Sequence, residues 1–282
     1  MKKIILLYIS FNFLFSIGLK ALIIPQSALT LASSNTGIAH NANIDVNPAS
    51  FNSLNHRMGF SKNNWFGDLQ GQKISMIKNN SYISFESLSI DDIELRNEVA
   101  SESPIGFFGA YWYSLEYSRL FDFNFFKSRN IDFGYKIKFY LSKLYTESMH
   151  GIAVDLGFTK ALSDNLSIGF VAKNFGKEYV GELNAKTPTV FGVGLKYDNS
   201  NIPLIILSDL FYRGNSMFKK LSLETKFPYI NLICGYTTGN NYKDYSMGLK
   251  VDIMDWSFVY ATLKHDNDVL GTPTSIELIR RF

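Results

Sequence analysis

Asn130-Ile131-Asp132-Phe133-Gly134-Tyr135-Lys136-Ile137-Lys138-Phe139-Tyr140-Leu141 changes character at nearly every step. Successive side chains of a strand point to opposite faces. Ile131, Phe133, Tyr135, Ile137, Phe139 and Leu141 therefore share one apolar face, and Asn130, Asp132, Gly134, Lys136 and Lys138 lie on the other. The same alternation recurs to the last residue, Phe282. Together the apolar faces make a belt that water does not tolerate and hydrocarbon does. Hydrocarbon offers no partner to an exposed strand edge, so a lipid-facing sheet has to close on itself. The reading is an all-β, transmembrane antiparallel β-barrel.

Working outward, strands are expected over Arg57–Asn64, Gln70–Lys78, Ser81–Ile90, Phe107–Leu120, Arg129–Leu144, Ser148–Ala161 and Asp164–Phe175. The second half gives Pro188–Tyr197, Ile202–Arg213, Met217–Phe227, Tyr229–Gly239, Tyr242–Ile253, Asp255–Asp266 and Thr272–Phe282. That is about 14 strands, an even number of ordinary barrel size, although ragged alternation in the first three leaves twelve open. Short links at one end and longer ones at the other fit periplasmic turns and outer loops. The two longest links, Asp91–Gly106 and Gly176–Thr187, both fall on the outer side.

Composition agrees with this class. In 282 residues, 24 Phe and 16 Tyr favour strands and interfacial girdles. A net charge of +3 without a Lys/Arg run gives no surface for nucleic acid. The single cysteine, Cys234, rules out an intrachain disulfide and a multi-thiolate metal site. His40, His56, His150 and His265 are scattered, with no HExxH or GxSxG. No catalytic residue, metal site or cofactor is therefore assigned.

Residues 1–18 read as an export signal, with Met1-Lys2-Lys3 basic, Ile4 to Phe15 largely apolar, and Ser16-Ile17-Gly18 small. Residues 19–55 form a leader too long for an entry turn, with an apolar stretch around Leu29 to Ala32, and fit a plug for the barrel mouth. Residues 56–282 form the barrel. Export without a membrane helix points to a Gram-negative-type cell outer membrane.

The phases opposite the apolar belt point inward. They carry Glu116, Asp132, Lys136, Lys138, Asp155, Lys173, Lys196, Asp209, Glu224, Lys226, Lys250, Asp252, Glu277 and Arg281. Both signs are present, which suits ion pairs better than a selective pore, where a ring of one sign is expected. Gly134, Gly157, Gly169, Gly192, Gly194 and Gly248 share this phase and leave room for a plug or for sheet curvature.

Gly37-Ile38-Ala39-His40-Asn41-Ala42-Asn43-Ile44-Asp45-Val46-Asn47-Pro48-Ala49-Ser50 resembles the leader of the PorV/PorQ-type outer-membrane proteins within the FadL-like barrel superfamily. Asn47-Pro48-Ala49 matches their "NPA" before the first strand. Leu166 to Gly176, Leu232 to Tyr236, Tyr245 to Leu249, Tyr260-Ala261 and Leu270 to Thr272 agree with later stretches of that pattern in order. The resemblance implies a fourteen-stranded barrel, a leader–barrel junction at Asn47, Pro48 and Ala49, and an accessory role in type IX-like protein secretion or surface attachment. Its partners would be secreted cargo or secretion-system proteins held by the outer loops, besides the surrounding lipid and the barrel-assembly machinery. The alternatives are FadL-like uptake of hydrophobic small molecules, or a structural barrel without transport.

Thr274, Ile276, Leu278, Arg280 and Phe282 share the outward face of the last strand. The terminal aromatic resembles the signal read by the barrel-assembly machinery. Arg280 departs from the apolar pattern and is expected to carry its guanidinium to the rim. Deleting Phe282 should lower the outer-membrane level of the protein severalfold, as read by fractionation and surface labelling; undiminished assembly would remove Phe282 as the signal.

Overall fold

The computed structural model describes residues 21–50, 56–96, 102–122, 131–180, 183–199, 201–240, 242–266 and 271–282. The expected signal segment lies outside the described residues. Among the described residues one short helix, α1 (Ala28–Ala32), precedes the strands. These are β1 (Arg57–Asn64), β2 (Gln70–Lys78), β3 (Ser81–Leu95), β4 (Gly106–Asp122), β5 (Ile131–Leu144), β6 (Glu147–Ala161), β7 (Leu166–Val180) and β8 (Leu183–Lys186). There follow β9 (Val190–Asn199), β10 (Leu204–Arg213), β11 (Ser216–Thr225), β12 (Ile230–Gly239), β13 (Tyr242–Ile253), β14 (Trp256–His265) and β15 (Thr274–Arg281).

All pairings are antiparallel. β6 pairs with β7, β7 with β9, and β15 with β1, so fourteen strands close into a ring and short β8 pairs with β7 alone. At the seam Arg57 faces Arg281, and the Phe282 N–H donates to the His56 carbonyl at 3.0 Å. The chain's last strand is thereby fixed to the first one, at what we call the terminal end.

Two departures from the expected strands share one cause. The register of β3 on β4 shifts between Ile90 and Ile93, and that of β6 on β7 between Val154 and Leu156. Each is a bulge, an extra residue that reverses the inward–outward phase. Asp92 (φ 58°) and Asn174 (φ 60°) take the left-handed conformation there, which Asp and Asn tolerate better than most residues. The phase reversal makes the outer half of each strand read as loop. Asp91–Leu95 and Gly176–Val180 are strand, and much of the two expected outer loops is therefore sheet.

The outward phase is apolar and the inward phase is not. On β5, Phe139 and Leu141 are 53% and 59% exposed, whereas Lys136 and Lys138 are 2% and 3% exposed. A water-soluble protein would show the reverse. Outward positions turn charged at both margins, at Lys62, Lys143, Lys177 and Lys219 on the far side and at Lys78 and Lys160 on the terminal side. The nine positions from Phe133 to Leu141 rise roughly 27 Å along the strand. At a tilt of roughly 40° that gives a belt close to the ~25 Å apolar band of such barrels. Arg280 does not need bulk water: its guanidinium sits 5.3 Å from the Trp256 ring centroid and 5.0 Å from that of Phe282.

Ile137 lies midway along this belt. Ile137→Arg should cost about 2–4 kcal/mol, the depth-dependent penalty for a cation in hydrocarbon, measured by reversible urea unfolding in lipid bilayers. A cost near zero would put the lipid face on the other phase.

Candidate lumen site

The leader makes its bonds with inward-facing groups around the ring. Ser27 caps α1, accepting from the Thr30 N–H at 3.2 Å. Gln26 carbonyl accepts from Asn63 Nδ2 at 2.9 Å on β1, and the Leu29 N–H donates to Glu277 Oε2 at 3.3 Å on β15. On the opposite wall, the Gly37 and Ile38 N–H groups donate to Asp209 Oδ2 at 2.6 and 3.1 Å on β10. Lys220 on β11 donates to the carbonyls of Ser34 and Asn35, and Ser246 on β13 to that of Ala32.

Glycines in the wall make these approaches possible. A Cβ on Gly134 would overlap Pro48, one on Gly157 would overlap Asn47, and one on Gly169 would come within 2.6 Å of the Ile38 carbonyl oxygen. Asn47 is fully buried; its amide donates to the carbonyls of Ile38 (2.7 Å) and Phe158 (3.3 Å), and its Oδ1 accepts from the Ala49 N–H. Asn47, Pro48 and Ala49 thus lie against the wall, and residues 51–55, which link them to β1, fall outside the described residues.

The inward charges form a network centred on the leader's Asp45. Its Oδ1 receives Lys73 Nζ at 2.6 Å and Tyr82 Oη at 3.1 Å, with Lys136 at 3.8 Å. Lys73 also meets Glu86 at 2.9 Å, and Lys136 meets Glu116 at 2.8 Å. Lys138 pairs with Asp155 at 2.7 Å across the bulge, and Lys173 donates to the Asp45 carbonyl at 2.8 Å. Asp132 accepts from Thr159 at 3.4 Å. Near the terminal end, Glu224 meets His40 at 3.4 Å, Lys250 meets Asp252 at 3.1 Å, Arg281 also bonds Asp252, and Lys196 meets Asp198 at 3.5 Å. Lys226 follows the end of β11, is more than a third exposed, and bonds Asp198 at the rim.

Asp45, Lys73 and Glu86 were absent from the expected inward set. Lys73 and Glu86 share the inward phase and face each other across β2 and β3. The signal was there, in the outward partners Ile74 and Phe85. Asp45, Glu86 and Glu116 bring carboxylate oxygens within 4.8 Å of one another, the spacing of a metal site. Lys73 and Lys136 supply the positive charge such a cluster needs, so the arrangement is an ion-pair network.

The histidines separate. His265 Nδ1 bonds Asp244, and its Nε2 has no partner among the described residues, so this acid–histidine pair addresses no nucleophile. His150 stacks outward on Tyr179.

Two cavities lie on either side of the leader. At the far end a cavity of about 620 Å³ is lined by Leu22, Ile24, Trp65, Trp112, Phe211 and Leu263, and its polar side holds the network of Asp45, Lys73, Glu86, Glu116 and Lys136 together with Lys138, Lys173 and Lys220. This corrects the expectation of a mainly polar interior: Trp112 interrupts the polar inward phase of β4, the inward phases of β10 and β14 are largely apolar, and the leader brings apolar residues of its own. At the terminal end a smaller cavity of about 240 Å³ has Arg57, Glu224, Lys250 and Arg281 in its wall. A dent of about 470 Å³ over Leu156, Phe170 and Phe191 lies on the outward, apolar face.

Compared with protein-family models and with curated proteins, the sequence gives no match. Among solved structures the fold recurs in the CymD monoaromatic hydrocarbon channel, with TM-score 0.65 and 10% identity over 91% of this chain and 97% of that one. The Pseudomonas putida toluene transporter TodX gives 0.60 and 11% over 90% and 96%. A Pseudomonas aeruginosa FadL homologue gives 0.60 and 9% over 92% and 99%. At these identities the likeness concerns the fold alone, a closed antiparallel barrel of fourteen strands.

Burial alone would raise the Asp45 carboxyl. The Lys73 and Lys136 ammonium groups and the bonds from Lys73 and Tyr82 outweigh it and hold the carboxyl well below its ordinary value of 3.8. A depressed folded value means that Asp45's contribution is complete above 3.8 and lost only as the pH falls through that lower value. Protease protection of the leader should therefore persist through pH 4. Asp45→Ala should cost on the order of 1–3 kcal/mol, since Lys73 and Lys136 keep one carboxylate each; an unchanged Tm in detergent would mean that the clamp contributes nothing.

Proposed function

We propose that this chain is a non-enzymatic outer-membrane channel for small apolar molecules, with the leader as its plug. The observation that carries the reading is the far-end cavity, about 620 Å³ with Trp65, Trp112, Phe211 and Leu263 in its wall. Ligand sites commonly occupy about 300–1,000 Å³ and are mainly apolar with a few polar groups. The fold it shares with channels described as carrying monoaromatic hydrocarbons is consistent with that solute class.

A secretion-accessory role of the PorV/PorQ type depends on outer loops that hold a protein partner. Much of the expected loop length is sheet (Asp91–Leu95, Gly176–Val180, Leu183–Lys186), which leaves less flexible surface for cargo. The uptake reading is therefore preferred.

Leu22 lies on the leader and lines the far-end cavity, so changing it leaves the wall intact. Leu22→Asp should reduce entry of a radiolabelled monoaromatic hydrocarbon into cells carrying the protein at least fivefold at equal surface level. The native protein should also show saturable quenching of tryptophan fluorescence by such a solute, because two of its three Trp residues line the cavity. Solute entry no faster than in cells lacking the protein would overturn the channel reading; loss of a surface protein on deleting Asp91–Gly106 would restore the secretion one.

A further inference from the structure

The terminal-end cavity, like the far one, has more cations than carboxylates in its wall. Arg57 opens β1 and Arg281 closes β15; they are directly opposite in register, share the inward phase, and both line this cavity. Like charges directly opposite on paired strands repel. Lys250 stands in the same wall, so three cations converge on about 240 Å³.

Two of the nearby carboxylates are paired with other groups: Asp252 holds Arg281, Lys250 and Ser257, and Glu224 meets His40. Glu277, which accepts from the Leu29 N–H, is the opposite charge that Arg57 feels most, from beyond ion-pair distance. Of the three cations, Arg57 is the one with no carboxylate within ion-pair distance among the described residues. A guanidinium at the edge of an enclosed space is a planar fork whose geometry matches a carboxylate through two parallel hydrogen bonds. Leu207, Ile233 and Ile279 give the wall an apolar side, and Ser33, Thr36 and Asn43 of the leader give it a polar one. The cavity is smaller than the ~300–1,000 Å³ typical of drug-sized ligands.

We propose that this cavity is a binding site for a small organic monocarboxylate, with Arg57 as the receptor of the carboxylate and the Leu207–Ile279 side of the wall taking its apolar body. The site is separate from the far-end cavity and does not depend on the channel reading. A hydrocarbon channel without this site, or this site in a barrel that carries no hydrocarbon, are both physically coherent.

The test is ligand-observed ¹⁹F NMR on the full-length protein in detergent micelles, with 4-fluorobenzoate as probe, its neutral isostere 4-fluorobenzamide as control, and empty micelles as blank. Native protein should bind the acid saturably and at least tenfold more tightly than the amide. Arg57→Gln should weaken the acid at least tenfold and leave the amide unchanged, with Arg57→Lys in between because it keeps charge and loses the fork. Heat-modifiable migration checks that each variant is folded; if Arg57→Gln does not assemble, the native acid-against-amide comparison and Arg57→Lys decide. Equal binding of acid and amide, unchanged affinity in folded Arg57→Gln, or complete displacement by equimolar inorganic phosphate would each overturn the proposal. The last would make the site a seat for any bare anion.

Discussion

An unpaired backbone N–H or C=O in hydrocarbon has no water to turn to, and each costs several kcal/mol. A sheet with an apolar outer face must therefore have no edge. Closure of β1 on β15 meets this demand and sets the rest of the architecture. A ring of about eight strands is narrow enough for wall side chains to fill, and rings of 16–18 leave an aqueous channel. Fourteen lies between these cases, with a bore that inward side chains only partly fill. Residues 21–50 run along that remaining space, held by bonds to strands on opposite walls.

Enclosure changes what charge does. Lys136, Lys138, Asp155 and Glu116 are each no more than 5% exposed, so each needs a partner of opposite sign. Buried ion pairs are weak contributors to stability when set against apolar packing. Their consequence here is one of position. Asp45 satisfies Lys73 from the leader, and Asp209 from the wall accepts two leader N–H groups. The leader is thus tied at two well-separated points, while glycines at 134, 157 and 169 remove the side chains that would push it away.

Period-2 alternation carried most of the fold in the sequence. The limits of β1 and β2 coincide with those expected, Arg57–Asn64 and Gln70–Lys78, although their alternation is ragged, because turns at Gly67-Asp68 and Asn79-Asn80 bound them. What alternation does not carry is a change of phase. The bulges at Asp92 and Asn174 reverse the faces beyond them, and β3 and β7 consequently run further than their pattern indicates. The lumen was legible in part for a related reason. Wall charges such as Lys136 and Glu116 follow from strand phase, but Asp45 lies on irregular chain, where no period tells which way a side chain points. The apolar lining of the far cavity was illegible too, since Trp112 sits among the polar inward residues of β4, and on β10 and β14 both phases are rich in apolar residues, so alternation does not mark Phe211 and Leu263 as inward.

The two cavities meet opposite sides of the same short piece of chain. Thr30, Leu31, Ser34 and Asn35 border the far one, whereas Leu29, Ser33 and Thr36 border the terminal one. One turn of helix and the turn after it therefore stand between the two spaces. A solute that crosses the lumen has to pass this partition, and the bonds in its way can be named: Asp209 to Gly37 and Ile38, Lys220 to Ser34 and Asn35, Ser246 to Ala32. All of them join the leader to β10, β11 and β13, and those made by the Asp209 carboxylate and the Lys220 ammonium are charge-assisted. The contacts of Asp45 with β2, β3 and β7 use ammonium donors as well, and losing them leaves Lys73 and Lys136 without that carboxylate. Charge-assisted bonds therefore hold the leader on both walls, and a solute that moves it has to replace those of one wall with contacts of its own.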